Sequence, residues 1–354
     1  MGVAVHMETK LWVVDKNGDN LKSYPHIKEA ARLLTNNEVV AFPTETVYGL
    51  GANATLDHAV NKIFEAKGRP SDNPLIVHIA NRTQLDDIAS DVPDVVDILI
   101  EHFWPGPLTL VLRKKATYIS ERVTAGLDTV AVRMPDHPIA LAILEEAKVP
   151  VAAPSANLSG RPSPTTAAHV VDYLKGRISG IVDGGPTGVG LESTVLDCTE
   201  EVPVILRPGG ITKEQLERVC GQVHVDAALV VEGQAPKSPG MKYTHYAPKA
   251  PVSIVEGSPQ FLQDVVKEKQ LAGFKVGVLT TSEREGFYDA ERIVICGTRS
   301  DLKTVASGLY DALRSFDESD VDYIISESFP QEGLGVAIMN RLLKAASFQV
   351  IREK

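Results

Sequence analysis

The chain has 354 residues, 44% hydrophobic and 23% charged, with a formal net charge of -10. That length implies two domains, and that balance describes an ordinary globular protein with ample core. The acidic charge excludes a surface that coats nucleic acid over a wide area, and no apolar run is long enough to span a bilayer.

The opening stretch "MGVAVHMETKLWVV" lacks a basic segment followed by a long apolar one, so no signal peptide is expected. His6 stands where myristoylation favours Ser or Thr. Cys198, Cys220 and Cys296 are far apart, without a CxxC pair. Neither a disulfide framework nor a structural zinc site is expected, and the cytoplasm is the natural compartment. Residues 1–230 hold 21 Lys and Arg against 29 Asp and Glu, and the remainder 15 against 17. Any cationic pocket must therefore be a local cluster.

In the first 230 residues, strands are predicted at "VVAFP" (39–43), "LIVHI" (75–79), "LTLVLR" (108–113), "TVAVRM" (129–134), "VPVAAP" (149–154), "STVLDC" (193–198) and "VPVILR" (202–207). Helices are predicted at 57–67, 92–102, 137–147, 165–175 and 212–220, the second stopped by "FWPGP". This mixture reads as a twisted mixed α/β sheet with helices. Residues 231–251, rich in proline and glycine, read as an extended linker, although Tyr243, His245 and Tyr246 are costly to leave in water. From 252 to 354, apolar runs at 252–255, 275–281, 291–296 and 321–326 alternate with helical spacing at 301–315 and 335–347. That alternation predicts a small, Rossmann-like three-layer α/β domain with a mostly parallel sheet. No GxGxxG or Walker motif marks it as a nucleotide site.

Polar residues gather where the first domain's strands end. "PTETVYGLG" (43–51) places Thr44, Glu45 and Thr46 after a strand, and Gly49 and Gly51 would let the backbone approach something closely. A turn with capping hydroxyls accounts for that stretch equally well. In "KGRPSDNPL", Lys67 and Arg69 read either as a solvated helix end or as donors on a bend stiffened by prolines. Arg133, between Val132 and Met134, needs an anion, either an internal carboxylate or a ligand. "APSANLSGRPSPTT" (153–166) supplies short hydroxyl and amide side chains that would cap a helix or line a nucleotide pocket. The amides of "GGPTGVGLESTVLD" (184–197) could face phosphates, and "LRPGG" (206–210) adds an Arg at a strand end. Together these residues favour a polyanionic small molecule. Covalent catalysis and a zinc hydrolase lack their motifs, leaving positioning and charge neutralisation as the available chemistry.

"PTETVYGLG", "KGRPSDNPLIVHI", "SANLSGRPSPT", "GLESTVLD" and "ILRPGGIT" resemble the YrdC-like family, the threonylcarbamoyl-AMP synthases. Lys67-x-Arg69 and Ser155-x-Asn157 match that family's tetrad, over about residues 20–220. "SPGMKYTHYAP" and the α/β tail resemble its two-domain form. The resemblance implies a YrdC-like catalytic domain with an open cavity (1–230), a linker or flap over the site (231–251) and a C-terminal domain (252–354). It implies a nucleotidyltransferase that condenses L-threonine, bicarbonate and ATP to threonylcarbamoyl-adenylate and pyrophosphate. Mg²⁺ would arrive with ATP, without a metal site of the protein's own.

By the same resemblance, Lys67, Arg69, Asn73, Thr129, Asn157, Thr165, Arg207 and Tyr243 would hold ATP, with Lys67 and Arg69 catalytic. Thr46, His78, Arg133, Ser155 and Ser193 would hold threonine, although a histidine on a strand also reads as a satisfied core residue. A downstream transferase would carry the product to the adenine beside the anticodon of tRNAs reading ANN codons, with at most a weak tRNA contact here. Two other expectations compete. An RNA-binding module is disfavoured by the acidic charge. A carbamoyl-adenylate enzyme of hydrogenase maturation is disfavoured by the absence of its zinc-finger cysteines and acylphosphatase-like segment.

Overall fold

The computed structural model describes residues 7–116, 118–229 and 245–354. The chain divides into two compact units, one of residues 1–159, 164–188 and 192–242, the other of 160–163, 189–191 and 243–354.

The first unit contains β1 (Lys10–Val13), β2 (Val40–Phe42), β3 (Gly49–Asn53), β4 (Ile76–His78), β5 (Leu108–Arg113), β6 (Thr129–Arg133), β7 (Val151–Ala152), β8 (Gly180–Asp183), β9 (Thr194–Asp197), β10 (Val204–Arg207) and β11 (His224–Val225). They form one mixed sheet in the order β1-β8-β2-β3-β7-β4-β6-β5-β9-β10-β11. Its helices are α1 (Pro25–Thr35), α2 (Asp57–Lys67), α3 (Thr83–Ile88), α4 (Asp94–Phe103), α5 (Glu121–Thr124), α6 (Pro138–Ala147), α7 (Ala167–Leu174) and α8 (Lys213–Cys220).

Much of the sheet is buried on both faces, which is why its strands read as continuous apolar runs rather than alternating ones. On β2, Ala41 enters one core with Leu50, Ile63 and Val132, while Val40 and Phe42 enter another with Ile27, Leu34 and Ile143. Residues 49–51, at the end of a stretch for which a turn was one reading, open β3 instead. What approaches its glycines is the sheet itself: a Cβ at Gly51 would lie 2.6 Å from Phe42 and 2.9 Å from Val151. Helix α1 was not anticipated, although its buried face (Ile27, Ala30, Ala31, Leu34) recurs at helical spacing.

The second unit contains β12 (Val252–Glu256), β13 (Val276–Thr280), β14 (Arg292–Ile295), β15 (Tyr323–Glu327) and β16 (Val350–Arg352). All neighbours pair in parallel, in the order β14-β13-β15-β12-β16. Helices α9 (Pro259–Leu271), α10 (Leu302–Ser315) and α11 (Leu334–Ala345) complete it. Ser258 and Asp301 accept backbone N–H groups at the starts of α9 and α10. Of the segment expected as a linker, Tyr246 is buried, with its ring 5.1 Å from that of Tyr310. At the end of β15, buried Glu327 accepts from Thr280, Tyr288 and Arg299, each at 2.7 Å, and pairs with Arg284 at 3.3 Å. No helix among the described residues is long and apolar enough to cross a membrane.

Candidate functional site

Strands β4 and β6 run parallel with His78 opposite Arg133, so one register places an imidazole and a guanidinium side by side. Both are 3% exposed. Burial, reinforced by the Arg133 charge, pulls the His78 pKa down to about 3. Arg133 donates from Nε to the Gly106 carbonyl at 3.1 Å and from Nη1 to Thr46 Oγ1 at 3.0 Å. Its third nitrogen, Nη2, lies 2.5 Å from Glu45 Oε1. The anion that a buried arginine requires is therefore supplied by Glu45 within the chain. Thr46 is held in turn by Thr44, whose hydroxyl also takes the Thr46 and Val47 amides.

A second wall forms where α2 ends. Gly68 caps the helix with φ 60° and ψ 38°, reversing the chain's handedness between Lys67 and Arg69. Lys67 is 3% exposed, not a solvated helix end. Its ammonium donates to the Ser155 carbonyl, to the Asn157 carbonyl at 2.7 Å and to Asn157 Oδ1 at 3.4 Å. Burial draws its pKa well below the ordinary lysine value; nearby Arg69 adds to this and Glu192 opposes it. The Ser155 hydroxyl donates to Asn157 Oδ1, tying the Ser-x-Asn pair together. Arg69, half-buried, donates to the Asn73 and Pro74 carbonyls at 3.3 and 3.4 Å. Lys67, Ser155 and Asn157 thus form one bonded cluster, and Arg69, bonded to Asn73, lies near enough for its charge to act on Lys67.

Ser193 and Arg207 also meet, although the resemblance assigns them to different substrates. Arg207 reaches the Ser193 carbonyl with Nε and Nη2 at 3.1 and 3.0 Å, and its hydroxyl at 3.2 Å. The Ser193 hydroxyl is bonded to Thr109 at 2.7 Å. Thr165 is buried beside His169 Nδ1. Thr129 and Arg133 begin and end β6, so they stand about 13 Å apart along the strand. Tyr243 lies outside the described residues. The 184–188 amides do not await phosphate: Gly184, Gly185, Thr187 and Gly188 donate to Tyr48, Asp183, Thr165 and Glu45.

The residues that sequence reasoning missed are partners. Glu45 sits in a quoted motif, but its bond to Arg133 joins distant segments and leaves no local pattern. His137, 5% exposed and without a hydrogen bond at either ring nitrogen among the described residues, is shifted down to about 4 by burial, against the Glu45 charge. Asp136 is raised by burial and by Glu45. Among the described residues no group of three or more His, Cys, Asp or Glu side chains could hold a metal ion.

Two buried neutral histidines set a pH dependence. Both folded pKa values lie below the ordinary 6.5, so between about 3 or 4 and 6.5 the unfolded chain binds more protons. Stability rises with pH through that window and levels off above it, at up to about 1.4 kcal/mol per pH unit for each histidine. Urea midpoints measured across the window should flatten in a His78→Gln, His137→Gln variant.

Family models cover nearly the whole chain. The Sua5–YciO–YrdC model, described as telomere recombination, matches residues 32–209. A model described as the threonylcarbamoyl-AMP synthase C-terminal domain matches residues 211–347. The chain is 62% identical to Bacillus subtilis threonylcarbamoyl-AMP synthase over 346 residues, 98% of this chain and 100% of that one. It is 47% identical to the Pyrococcus abyssi enzyme of that name over 331 residues, 92% of this chain and 95% of that one. A crystal structure of P. abyssi Sua5 complexed with L-threonine superposes with a TM-score of 0.91 at 45% identity, covering 98% of this chain and 100% of that one. With the YrdC-like and Sua5 C-terminal units both present and in order, this chain belongs to the threonylcarbamoyl-AMP synthase family of enzymes.

Proposed function

We propose that this enzyme is a nucleotidyltransferase that joins L-threonine, bicarbonate and ATP into threonylcarbamoyl-AMP and releases pyrophosphate. The observation that carries the reading is the Lys67 cluster, a buried ammonium locked to the Ser155–Asn157 loop with Arg69 two residues away. In this reaction a carbamate oxygen attacks the α-phosphorus, so negative charge grows where two anions meet. Preorganised cations in a desolvated site stabilise that charge without rearrangement. Polyanion binding would also return to Lys67 the favourable charge interaction that burial removes.

Lys67, Arg69, Asn73, Thr129, Asn157, Thr165, Arg207 and Tyr243 are assigned to the nucleotide. Thr46, His78, Arg133, Ser155 and Ser193 are assigned to threonine, the amino acid present in the P. abyssi Sua5 complex. His78, neutral near pH 7 because of its burial, would act as a hydrogen-bonding group rather than a cation. Mg²⁺ would enter on the ATP phosphates, where it supplies further charge neutralisation. The product would pass to a transferase acting on tRNA.

The test is pyrophosphate release without tRNA, with the product identified by mass spectrometry. Release that requires threonine, bicarbonate and ATP together, with a product of threonylcarbamoyl-adenylate mass, is the expected result. A chain that shifts tRNA mobility but releases no pyrophosphate would instead be a nucleic-acid binder.

A further inference from the structure

We propose that Glu45 is a further catalytic residue of this site: its carboxylate receives the ammonium of the amino-acid substrate and takes a proton from it. This rests on the function proposed above and goes beyond it by naming the group that readies the amine.

Glu45 is held firmly. Its carbonyl accepts from the Gly188 amide at 3.1 Å, and the flanking Thr44–Val47 turn is closed by the Thr44 hydroxyl. Its side chain is 12% exposed; Oε1 is paired with Arg133, and among the described residues Oε2 has no hydrogen-bond donor. Arg133 faces Oε1 with Nη2, while its Nε and Nη1 donate to the Gly106 carbonyl and to Thr46. Two further titratable groups couple to Glu45: Asp136, an anion, and His137, which burial keeps neutral. Among the described residues no side chain donates to Oε2.

A buried carboxylate oxygen left without a donor is expensive unless a ligand supplies one. An α-amino acid carries ammonium and carboxylate on the same carbon. With Arg133 assigned to the substrate carboxylate, the ammonium needs an anion alongside, and Glu45, with Oε2 unpartnered, is that anion.

The step balances as follows. A nitrogen–hydrogen bond of the ammonium breaks, and the proton passes to Glu45 Oε2. The freed lone pair forms the nitrogen–carbon bond to bicarbonate, and a carbon–oxygen bond breaks as hydroxide leaves with the second nitrogen proton as water. Glu45 then returns its proton to solvent, and the carbamate is ready to attack ATP.

Glu45→Gln separates this role from simple support of Arg133. The variant should lose about 100-fold in kcat/KM for threonine near neutral pH. That loss should shrink toward alkaline pH, as more threonine arrives with a free amine. Calorimetry should show wild type preferring threonine to its 2-hydroxy analogue, which has no amine, and the variant losing that preference. A loss equal at every pH, or equal weakening of both ligands, would mean that Glu45 only positions Arg133 and would overturn the proposal. Should the variant fail to fold, wild type alone decides: no preference for threonine over the analogue overturns it. Wild type that prefers threonine yet releases no pyrophosphate would sink the proposed function, and with it the proton transfer.

Discussion

Lys67→Met should reduce pyrophosphate release by about 100- to 1,000-fold, the cost of removing one preorganised donor from a desolvated site. Methionine nearly fills the space, so the loss would report the ammonium rather than a cavity. The Ser155 and Asn157 oxygens lose their donor as well, which should lower stability by about 1–3 kcal/mol in urea unfolding. Arg69→Ala should cost less stability, because Arg69 is half-buried and its two carbonyl contacts are long. The pair of assays separates the two cations: Lys67 is both brace and charge, whereas Arg69 is mainly charge. A Lys67→Met enzyme that turns over at the wild-type rate would remove Lys67 from the site.

In the second unit the largest effect is expected at Glu327. This carboxylate, 2% exposed, is shared by Thr280, Tyr288, Arg284 and Arg299. Glu327→Ala should destabilise the unit by about 3–5 kcal/mol, because two half-buried guanidiniums lose their common anion. Arg284→Ala and Arg299→Ala should each cost less, since those side chains remain 29% and 27% exposed and keep some water. Burial raises the Glu327 pKa, but hydrogen bonds from Arg299, Tyr288 and Thr280 outweigh it and hold it below 4.5. The sign follows: its contribution is present above pH 4.5 and is lost as pH falls through the lower folded value. Urea unfolding should show the difference between wild type and Glu327→Ala narrowing in acid. A constant difference across that range would place the stabilisation elsewhere.

The elements most readable from sequence were those whose apolar residues declare one period. Helix α2 (Asp57–Lys67) and strand β5 (Leu108–Arg113) have the predicted bounds. Elements built on small residues were hidden, as β3 shows: its glycines are required by the approach of Phe42 and Val151, which lie on other strands. Helix α9 and strand β16 of the second unit were also missed. The site divides in the same way. Lys67, Arg69, Ser155 and Asn157 were legible as a set through the family tetrad they resemble, whereas the contacts Glu45–Arg133 and Thr109–Ser193 span 88 and 84 residues. Likewise, the glycine-rich loop suggested amides ready for phosphate, but only the folded chain shows that Tyr48, Asp183, Thr165 and Glu45 already accept them.

Gly68 carries a different kind of information. A Cβ built there meets nothing within 4 Å, so bulk does not reserve the position for glycine. Its φ of 60° does. The constraint is one of handedness: a mirror-image D-alanine would suit this bend better than its natural L-counterpart. Two like charges two residues apart stay in one site because the chain between them turns the wrong way for ordinary amino acids.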